Sequence, residues 1–229
     1  GMSHVDFSIK EDRMVTPATH FFDGAAFLAE TTTYFRASGG NGSGSVAWSS
    51  SPAAALTSAL VSGNTYTVWA DPVDLAGGSQ VVTGVYAAAT FLWDNVRPDF
   101  SVMVPSRAIY GVNNPITGIA GTALEAYSWM SSVQVQVRIT STTDFNGAAD
   151  RWWDGSLYAS AVSSWVSVGG ALTDWLYPMS FTPYRKHGVI ARAFDRAGNS
   201  SQTAREMTFI YDTTAPVIAA LYQPSKMYH

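Results

Sequence analysis

The chain has 229 residues, contains no cysteine and is poor in charge. Without cysteine there are no disulfides, no thiolate metal sites and no cysteine nucleophile. Only 13% of the residues are charged, about half the share of an average globular protein. Long amphipathic helices need charged residues on their solvent face, so this composition argues against an α-helical protein. The net charge is −4 and no run of lysine or arginine occurs, which argues against a nucleic-acid partner.

Long hydrophobic runs are also absent. No apolar segment approaches the roughly 20 residues of a membrane-spanning helix, and the N-terminus has no signal-peptide pattern. The sequence therefore predicts no membrane span. Gly1 before Met2 resembles a remnant of expression, and we expect the chain to be a segment of a longer protein.

Common catalytic motifs are missing as well. The chain has no G-x-S-x-G elbow, no H-E-x-x-H pair and no complete phosphate-binding loop. Its four histidines, His4, His20, His187 and His229, share no metal-ligand spacing. We expect them to be exposed or to lie in turns. The sequence thus predicts a protein that is not an enzyme.

The residues that are abundant favour β-structure. The chain has 19 glycines, 10 prolines, 8 tryptophans, 11 tyrosines and 11 phenylalanines, a composition typical of short strands joined by turns. Residues 133–139 alternate strictly between apolar and polar side chains, the period of a strand with one buried face. Residues 66–70 and 189–194 have the same character. Only residues 52–61 favour a helical turn.

An internal repeat organises the chain. Thr-Phe-Leu-Trp-Asp at 90–94 matches Thr-Phe-Ile-Tyr-Asp at 208–212, and a proline follows each. The Asp-Leu-Ala-Gly-Gly turn at 74–78 matches Asp-Arg-Ala-Gly-Asn at 195–199. Because these matches occur in the same order, the chain is predicted to contain two related units.

The repeat also predicts packing. Phe91 and Phe209 should be buried equivalents on the closing strands of the two units. Val68 and Ile190 are expected opposite them on the preceding strands.

Residues 190–199 and 208–216, together with the Ile-Thr-Gly-Ile-Ala-Gly-Thr-Ala strand at 116–123, resemble bacterial immunoglobulin-like repeats of the Big type. The resemblance implies an all-β fold of two tandem immunoglobulin-like β-sandwiches. We expect an N-terminally truncated repeat at 1–103 that lacks its opening strands. A complete repeat should follow at 104–216, and residues 217–229 should form the start of a further repeat or a tail.

The same resemblance implies an extracellular or cell-surface location, with neighbouring immunoglobulin-like repeats as partners. The expected function is a non-catalytic spacer or adhesive module of a larger bacterial surface or secreted protein. The alternative is an accessory glycan-binding module of a carbohydrate-active enzyme.

Paired aromatic residues are the candidate ligand-binding positions. Phe21-Phe22 and Trp152-Trp153 each precede an Asp-Gly turn, and neighbours on a strand point to opposite faces. One ring of each pair should therefore face outward, where it offers a platform for a glycan or for a host or cell-surface protein. The pattern nevertheless favours a scaffold role, because the motif recurs in both units.

Acidic residues are the candidate metal ligands. In the resembled family such residues often bind calcium, and here Asp94, Asp99, Asp195, Asn199 and Asp212 cluster at the ends of the two units along the chain. Calcium needs six to eight oxygen ligands. The alternative is that such residues bond their own turn backbone. The pattern favours this alternative, so we expect no required cofactor, with calcium as the one metal that these residues suit.

The ends of the chain suggest an oligomer. If the first unit lacks its opening strands, its sheet has an unpaired edge and an open apolar face. Residues 217–225 resemble the start of another unit. A strand-exchanged oligomer, in which this tail covers another copy, is therefore expected.

Overall fold

A computed structural model of the chain describes residues 1–13, 19–39, 41–42, 47–50, 54–79, 87–140, 151–203 and 205–218. These residues form several antiparallel sheets and almost no helix, which confirms the all-β prediction. The chain divides into two compact units. Unit 1 comprises residues 1–97 with the short segments 125–129 and 195–199, and unit 2 comprises the remainder. The predicted tail beyond residue 218 and His229 lie outside the described residues.

Unit 1 is built on one large antiparallel sheet of order β3-β2-β1-β7-β8, with β4 also paired to β1 and with β5 and β6 as a separate hairpin. Its elements are β1 (Met2–Asp12), β2 (Thr19–Phe22), β3 (Phe27–Ala29), β4 (Phe35–Arg36), β5 (Ser38–Gly39), β6 (Trp48–Ser49), α1 (Ala54–Ala59), β7 (Thr65–Asp74) and β8 (Ala87–Leu92).

The core of unit 1 lies on one face of this sheet. Strand alternation turns Val5, Phe7 and Ile9 inward, where they pack with Phe22 and Tyr66 and with side chains of the short helix. Helix α1 falls inside the predicted segment 52–61. Among the described residues this core face is covered by a helix and a hairpin, so the sandwich fold of unit 1 stays a prediction.

Unit 2 has two sheets. Its strands are β9 (Asp99–Val104), β10 (Ile109–Tyr110), β11 (Gly118–Leu124), β12 (Met130–Thr140), β13 (Arg151–Trp153), β14 (Tyr158–Ser160), β15 (Val166–Ser167), β16 (Asp174–Pro178), β17 (Arg185–Asp195) and β18 (Met207–Tyr211). One sheet has the order β10-β18-β17-β12-β13-β14, with β15 also paired to β12, and the other has the order β16-β11-β9. Strand β9, which spans the predicted boundary at 103/104, pairs with β11.

The two sheets of unit 2 share one core. Ile119 and Trp175 come from the smaller sheet, and Val135, Ala191 and Phe209 come from the larger one; each is at most 1% exposed. The unit is therefore sandwich-like. In strand β12, Val133, Val135 and Val137 are buried as the alternation predicts, but Gln136 between them is buried as well.

The two closing phenylalanines differ, which corrects the sequence prediction. Phe209 is 1% exposed, whereas Phe91 is 39% exposed. Their cross-strand partners are His187 and Tyr66 rather than Ile190 and Val68. Phe209 lies between two sheets, whereas the ring of Phe91 has its described aromatic contact with Tyr66 at a centroid distance of 5.6 Å. The local strand pattern is the same in both places, but the covering layer differs.

His187 is a second correction, because it is completely buried rather than exposed. One ring nitrogen, Nε2, lies 3.0 Å from the carbonyl oxygen of Thr182, and the other, Nδ1, lies 3.3 Å from the hydroxyl of Tyr158. The ring also stacks on Phe209 at 5.2 Å. The histidine is thus a hydrogen-bonded core residue of unit 2.

In the described part of the chain, no helix has the length and hydrophobicity that crossing a membrane requires.

Candidate functional site

Three carboxylates from distant parts of the sequence meet in unit 1. One oxygen of each of Asp94, Glu125 and Asp195 lies within 4.8 Å of the others. Asp94 follows strand β8, Glu125 follows β11, and Asp195 is the last residue of β17. We refer to these three residues as the acidic cluster. All three residues therefore lie at strand ends, where the chain leaves a sheet.

Two oxygens of the acidic cluster are buried and have no hydrogen-bond partner among the described residues. Asp94 is 7% exposed; its Oδ1 accepts the Val96 amide at 2.9 Å, whereas its Oδ2 has no partner. Glu125 Oε1 accepts the amides of Ala126 and Tyr127, whereas Oε2 has none. Desolvated carboxylate oxygens without partners are costly, so these two atoms need an explanation.

Asp195 closes its own turn and also faces the cluster. It is 2% exposed; its Oδ1 accepts the Asn199 amide and its Oδ2 accepts the Asn199 side-chain nitrogen, both at 2.8 Å. The same side-chain nitrogen lies 3.1 Å from the carbonyl oxygen of Asp94. The turn interpretation is therefore correct for Asp195. For Asp94 and Glu125, local backbone bonds account for only one oxygen of each carboxylate.

No ion pair neutralises the acidic cluster within the described residues: the salt bridges there involve other acids. When two carboxylates whose oxygens lie within 4.8 Å of each other are both ionised, they repel by at least about 3 kcal/mol at an effective dielectric constant of about 20. A divalent cation would remove this repulsion and supply the missing partners of the two unpaired oxygens.

The predicted ligands separate into two groups. Asp94, Asp195 and Asn199 come together, as the previous distances show. Asp99 and Asp212 are exposed and each bonds its local backbone, Asp99 to Phe100 and Asp212 to Thr214. The two hydrogen bonds from Thr214 lower the pKa of Asp212. Glu125 is not among the predicted ligands because no motif surrounds it. Its one local signal is an acid two residues after the predicted strand at 116–123.

The paired aromatics also separate. Phe22 is 5% exposed and belongs to the core of unit 1, and Trp153 packs against the core of unit 2, where its indole N–H donates to Tyr177 at 2.7 Å. Trp152 is half-buried, and the guanidinium of Arg138 lies 5.7 Å from its ring centroid. Phe21, in contrast, lines a surface cleft.

The Asp-Gly turns after these pairs form as predicted. Asp23 accepts the amides of Ala25 and Ala26, both at 2.8 Å, and these bonds lower its pKa. Asp154 makes the equivalent bonds to Ser156 and Leu157. These carboxylates act as turn residues, which leaves them outside the candidate site.

The cleft beside Phe21 was not predicted. Its lining residues are Phe21, Thr32, Tyr34 and Trp69, and its volume is about 230 Å³. We refer to these four residues as the aromatic cleft. Its residues are far apart in sequence and come together only through the pairing of β1 with β2, β4 and β7.

No protein-family model matches the chain, and no curated protein shows significant sequence similarity to it.

Proposed function

We propose that the chain is a non-catalytic immunoglobulin-like module of a larger bacterial surface or secreted protein, stabilised by a calcium ion at the acidic cluster. The observation that carries the cation is the pair of buried oxygens, Asp94 Oδ2 and Glu125 Oε2, that have no partner among the described residues. Asp195 supplies the third carboxylate.

The ligand chemistry favours calcium over transition metals. All three side chains offer oxygen, and the chain has no cysteine. Hard divalent cations prefer carboxylates, carbonyls and water, and calcium tolerates irregular geometry better than magnesium. Three carboxylates with water in the remaining positions suit a weak site, with a dissociation constant of about 0.1–1 mM, as in extracellular modules.

A bound ion would have a structural role. It would join residue 94 to the segments 125–129 and 195–199, which are held in the absence of an ion by few hydrogen bonds, such as that from Asn199 to the carbonyl oxygen of Asp94. Cross-linking segments that are distant in sequence stabilises the folded state through binding energy. This role fits a spacer, which needs a defined shape rather than a reactive group.

The immunoglobulin-like repeat rests on parallels between the units. Lys10 pairs with Phe21 in unit 1, and Arg138 pairs with Trp152 in unit 2. The Asp74 and Asp195 turns use the same bond, from the amide four residues later to the aspartate Oδ1. These parallels support a tandem repeat. The proposed surface or secreted location and the neighbouring repeats as partners follow from the family resemblance alone.

Calcium is expected to raise the melting temperature of the chain. At a concentration about ten times the dissociation constant, an ion that binds only the folded state adds about 1.4 kcal/mol, which raises the melting temperature of a unit of about 100 residues, such as unit 1, by roughly 5–10 °C. The measurement is a thermal melt followed by circular dichroism, first in EDTA and then with excess calcium.

Conservative variants test whether the acidic cluster causes this calcium-dependent rise in melting temperature. Glu125→Gln and Asp94→Asn keep the side-chain shape but remove a charge. Each should abolish most of the rise in melting temperature that calcium causes. Asp212→Asn is the matched control, because Asp212 occupies the position that the repeat aligns with Asp94 but is exposed. The proposal is wrong if calcium has no effect on the native chain, or if Glu125→Gln responds as strongly as Asp212→Asn.

A further inference from the structure

The aromatic cleft lies on the sheet face of unit 1 that points away from the core. Phe7 and Ile9 of strand β1 are in the core, so strand alternation places Ser8 and Lys10 on the other face. Lys10 pairs with Phe21 on β2, and Ser8 pairs with Trp69 on β7. Phe35 pairs with Phe7, so its neighbour Tyr34 also belongs to the outer face. Three aromatic side chains thus share a face where polar residues are expected.

These rings enclose a space rather than filling it. The rings of Phe21 and Trp69 are 6.0 Å apart between centroids and tilted by 35°, so their faces diverge. Tyr34 is 42% exposed. A volume of about 230 Å³ lies below the roughly 300–1,000 Å³ of sites for drug-sized molecules. The cleft therefore suits a single small ring with at least one apolar face.

Polar groups surround this apolar space. Thr32 and Tyr34, which each carry a hydroxyl, are among the lining residues, and the Lys10 ammonium lies 5.5 Å from the Trp69 ring centroid. Lys10 is paired with Asp12 at 2.8 Å, so its charge is balanced. A combination of aromatic faces, hydroxyls and a neutralised charge favours a ligand that is uncharged, rich in hydroxyls and apolar on one face.

In unit 2, the positions that correspond to Phe21 and Tyr34 have different surroundings. Trp152 aligns with Phe21, and the Arg138 guanidinium lies over its ring. This guanidinium donates two hydrogen bonds to Glu206. Trp165 directly precedes β15, as Tyr34 directly precedes β4, and the Arg192 guanidinium lies only 4.0 Å from the Trp165 ring centroid. Arginines of the chain itself thus lie against these rings of unit 2. In unit 1 a cation also lies over one ring, Lys10 over Trp69, but Phe21 and Tyr34 line a cleft there.

We propose that the aromatic cleft binds a neutral pyranose residue of a polysaccharide. The C–H face of the sugar packs on Trp69 and Phe21, and its hydroxyls form hydrogen bonds with Thr32, Tyr34 and Lys10. Aromatic side chains with one apolar surface and nearby hydrogen-bonding groups suit such amphipathic ligands. This activity is independent of the acidic cluster and adds an adhesive function to the cation-stabilised module.

The test follows the indole N–H signal of Trp69 in ¹H–¹⁵N spectra of the full chain. The signal is assigned by its loss in Trp69→Phe. The probes are cellotetraose, laminaritetraose, mannotetraose and chitotetraose, with trigalacturonate as the acidic counterpart, each titrated into the millimolar range. A saturable shift of the Trp69 signal with at least one neutral tetrasaccharide is the expected result.

Variants distinguish sugar binding at the aromatic cleft from binding elsewhere on the chain. Tyr34→Ala removes a ring of the lining that is 42% exposed and should weaken binding about tenfold or more, the scale of one lost aromatic contact. Trp152→Ala in unit 2 is the matched control and should leave the affinity unchanged, as should Glu125→Gln, which removes the cation site. Circular dichroism checks that each variant is folded.

The proposal is overturned by three results. The first is no shift of Trp69 with any neutral probe, and the second is a response to trigalacturonate alone. The third is neutral-sugar binding that Tyr34→Ala leaves intact or that Trp152→Ala abolishes. A response that persists in Glu125→Gln supports the cleft whatever the outcome of the calcium experiment.

Discussion

Replacing Phe209 with alanine is expected to lower the free energy of unfolding of unit 2 by about 3–5 kcal/mol, the usual cost of truncating a core phenylalanine. Phe209 is 1% exposed and contacts three aromatic rings, those of Tyr110, Phe181 and His187. Removing its ring leaves a cavity between two sheets, which the paired strands on either side cannot close by moving together. Urea denaturation of the full chain measures the loss, and amide exchange in strand β12 assigns it to unit 2.

Phe91→Ala is the matched control for this substitution. The sequence repeat aligns Phe91 with Phe209, but Phe91 is 39% exposed and stacks mainly on Tyr66. Its truncation should therefore cost only about 1 kcal/mol. Equal losses for the two variants would mean that the two closing strands are covered to the same extent, contrary to the structure.

The second large effect is a pH dependence of unit 2. Burial is the main cause that lowers the pKa of His187 from 6.5 to about 4; Arg185 acts in the same direction, and the hydrogen bond to Thr182 acts against it. In the unfolded chain this histidine takes up a proton below about pH 6.5, whereas in the folded chain it stays neutral until about pH 4. Its contribution is thus fully present above pH 6.5 and is lost as the pH falls toward 4.

The expected loss over this range is about 3 kcal/mol, because each unit of pKa difference corresponds to about 1.4 kcal/mol. His187→Phe places an apolar ring beside Phe209 and Phe181 and removes the titrating group. Its stability at neutral pH will change, because the hydrogen bonds to Thr182 and Tyr158 are lost. The informative quantity is therefore the slope of the free energy of unfolding between pH 6.5 and 4.

The difference between the native chain and His187→Phe isolates this histidine from the carboxylates, which also titrate at low pH. Asp154 and Asp212 have lowered pKa values, so their contributions are lost at still lower pH in both proteins. His4→Gln, a change in unit 1, should keep the slope of unit 2. An unchanged slope in His187→Phe would contradict the assignment of a buried neutral histidine.

Local patterns in the sequence predicted the local structure well. The alternation at 133–139 predicted strand β12, and the Asp-Gly pairs at 23–24 and 154–155 predicted hairpin turns that the structure closes with aspartate hydrogen bonds. Segment 52–61 predicted helix α1. Each of these signals acts over a few residues, since strand period and turn chemistry depend on near neighbours along the chain.

The candidate site was predicted only in part. Asp94, Asp195 and Asn199 stood out because they follow strands at repeated positions, but nothing nearby in sequence connects Glu125 to them. Asp99 and Asp212 have a similar local pattern and also bond their own backbone, but they lie outside the acidic cluster. Local sequence shows which acids end strands, whereas it does not show which strand ends meet.

By itself, the amino-acid sequence determined that the chain is all-β, where its main turns lie, and which face of strand β12 is apolar. The tertiary structure alone decided that Phe209 is buried and Phe91 is not, and that His187 is a core residue. It alone brought three carboxylates together in the acidic cluster and three aromatic rings together in the aromatic cleft. The physical reason is that burial and proximity depend on the layer packed against a strand. That layer is formed by residues tens of positions away in the sequence, and the amino-acid pattern around a strand does not show which of them it contacts.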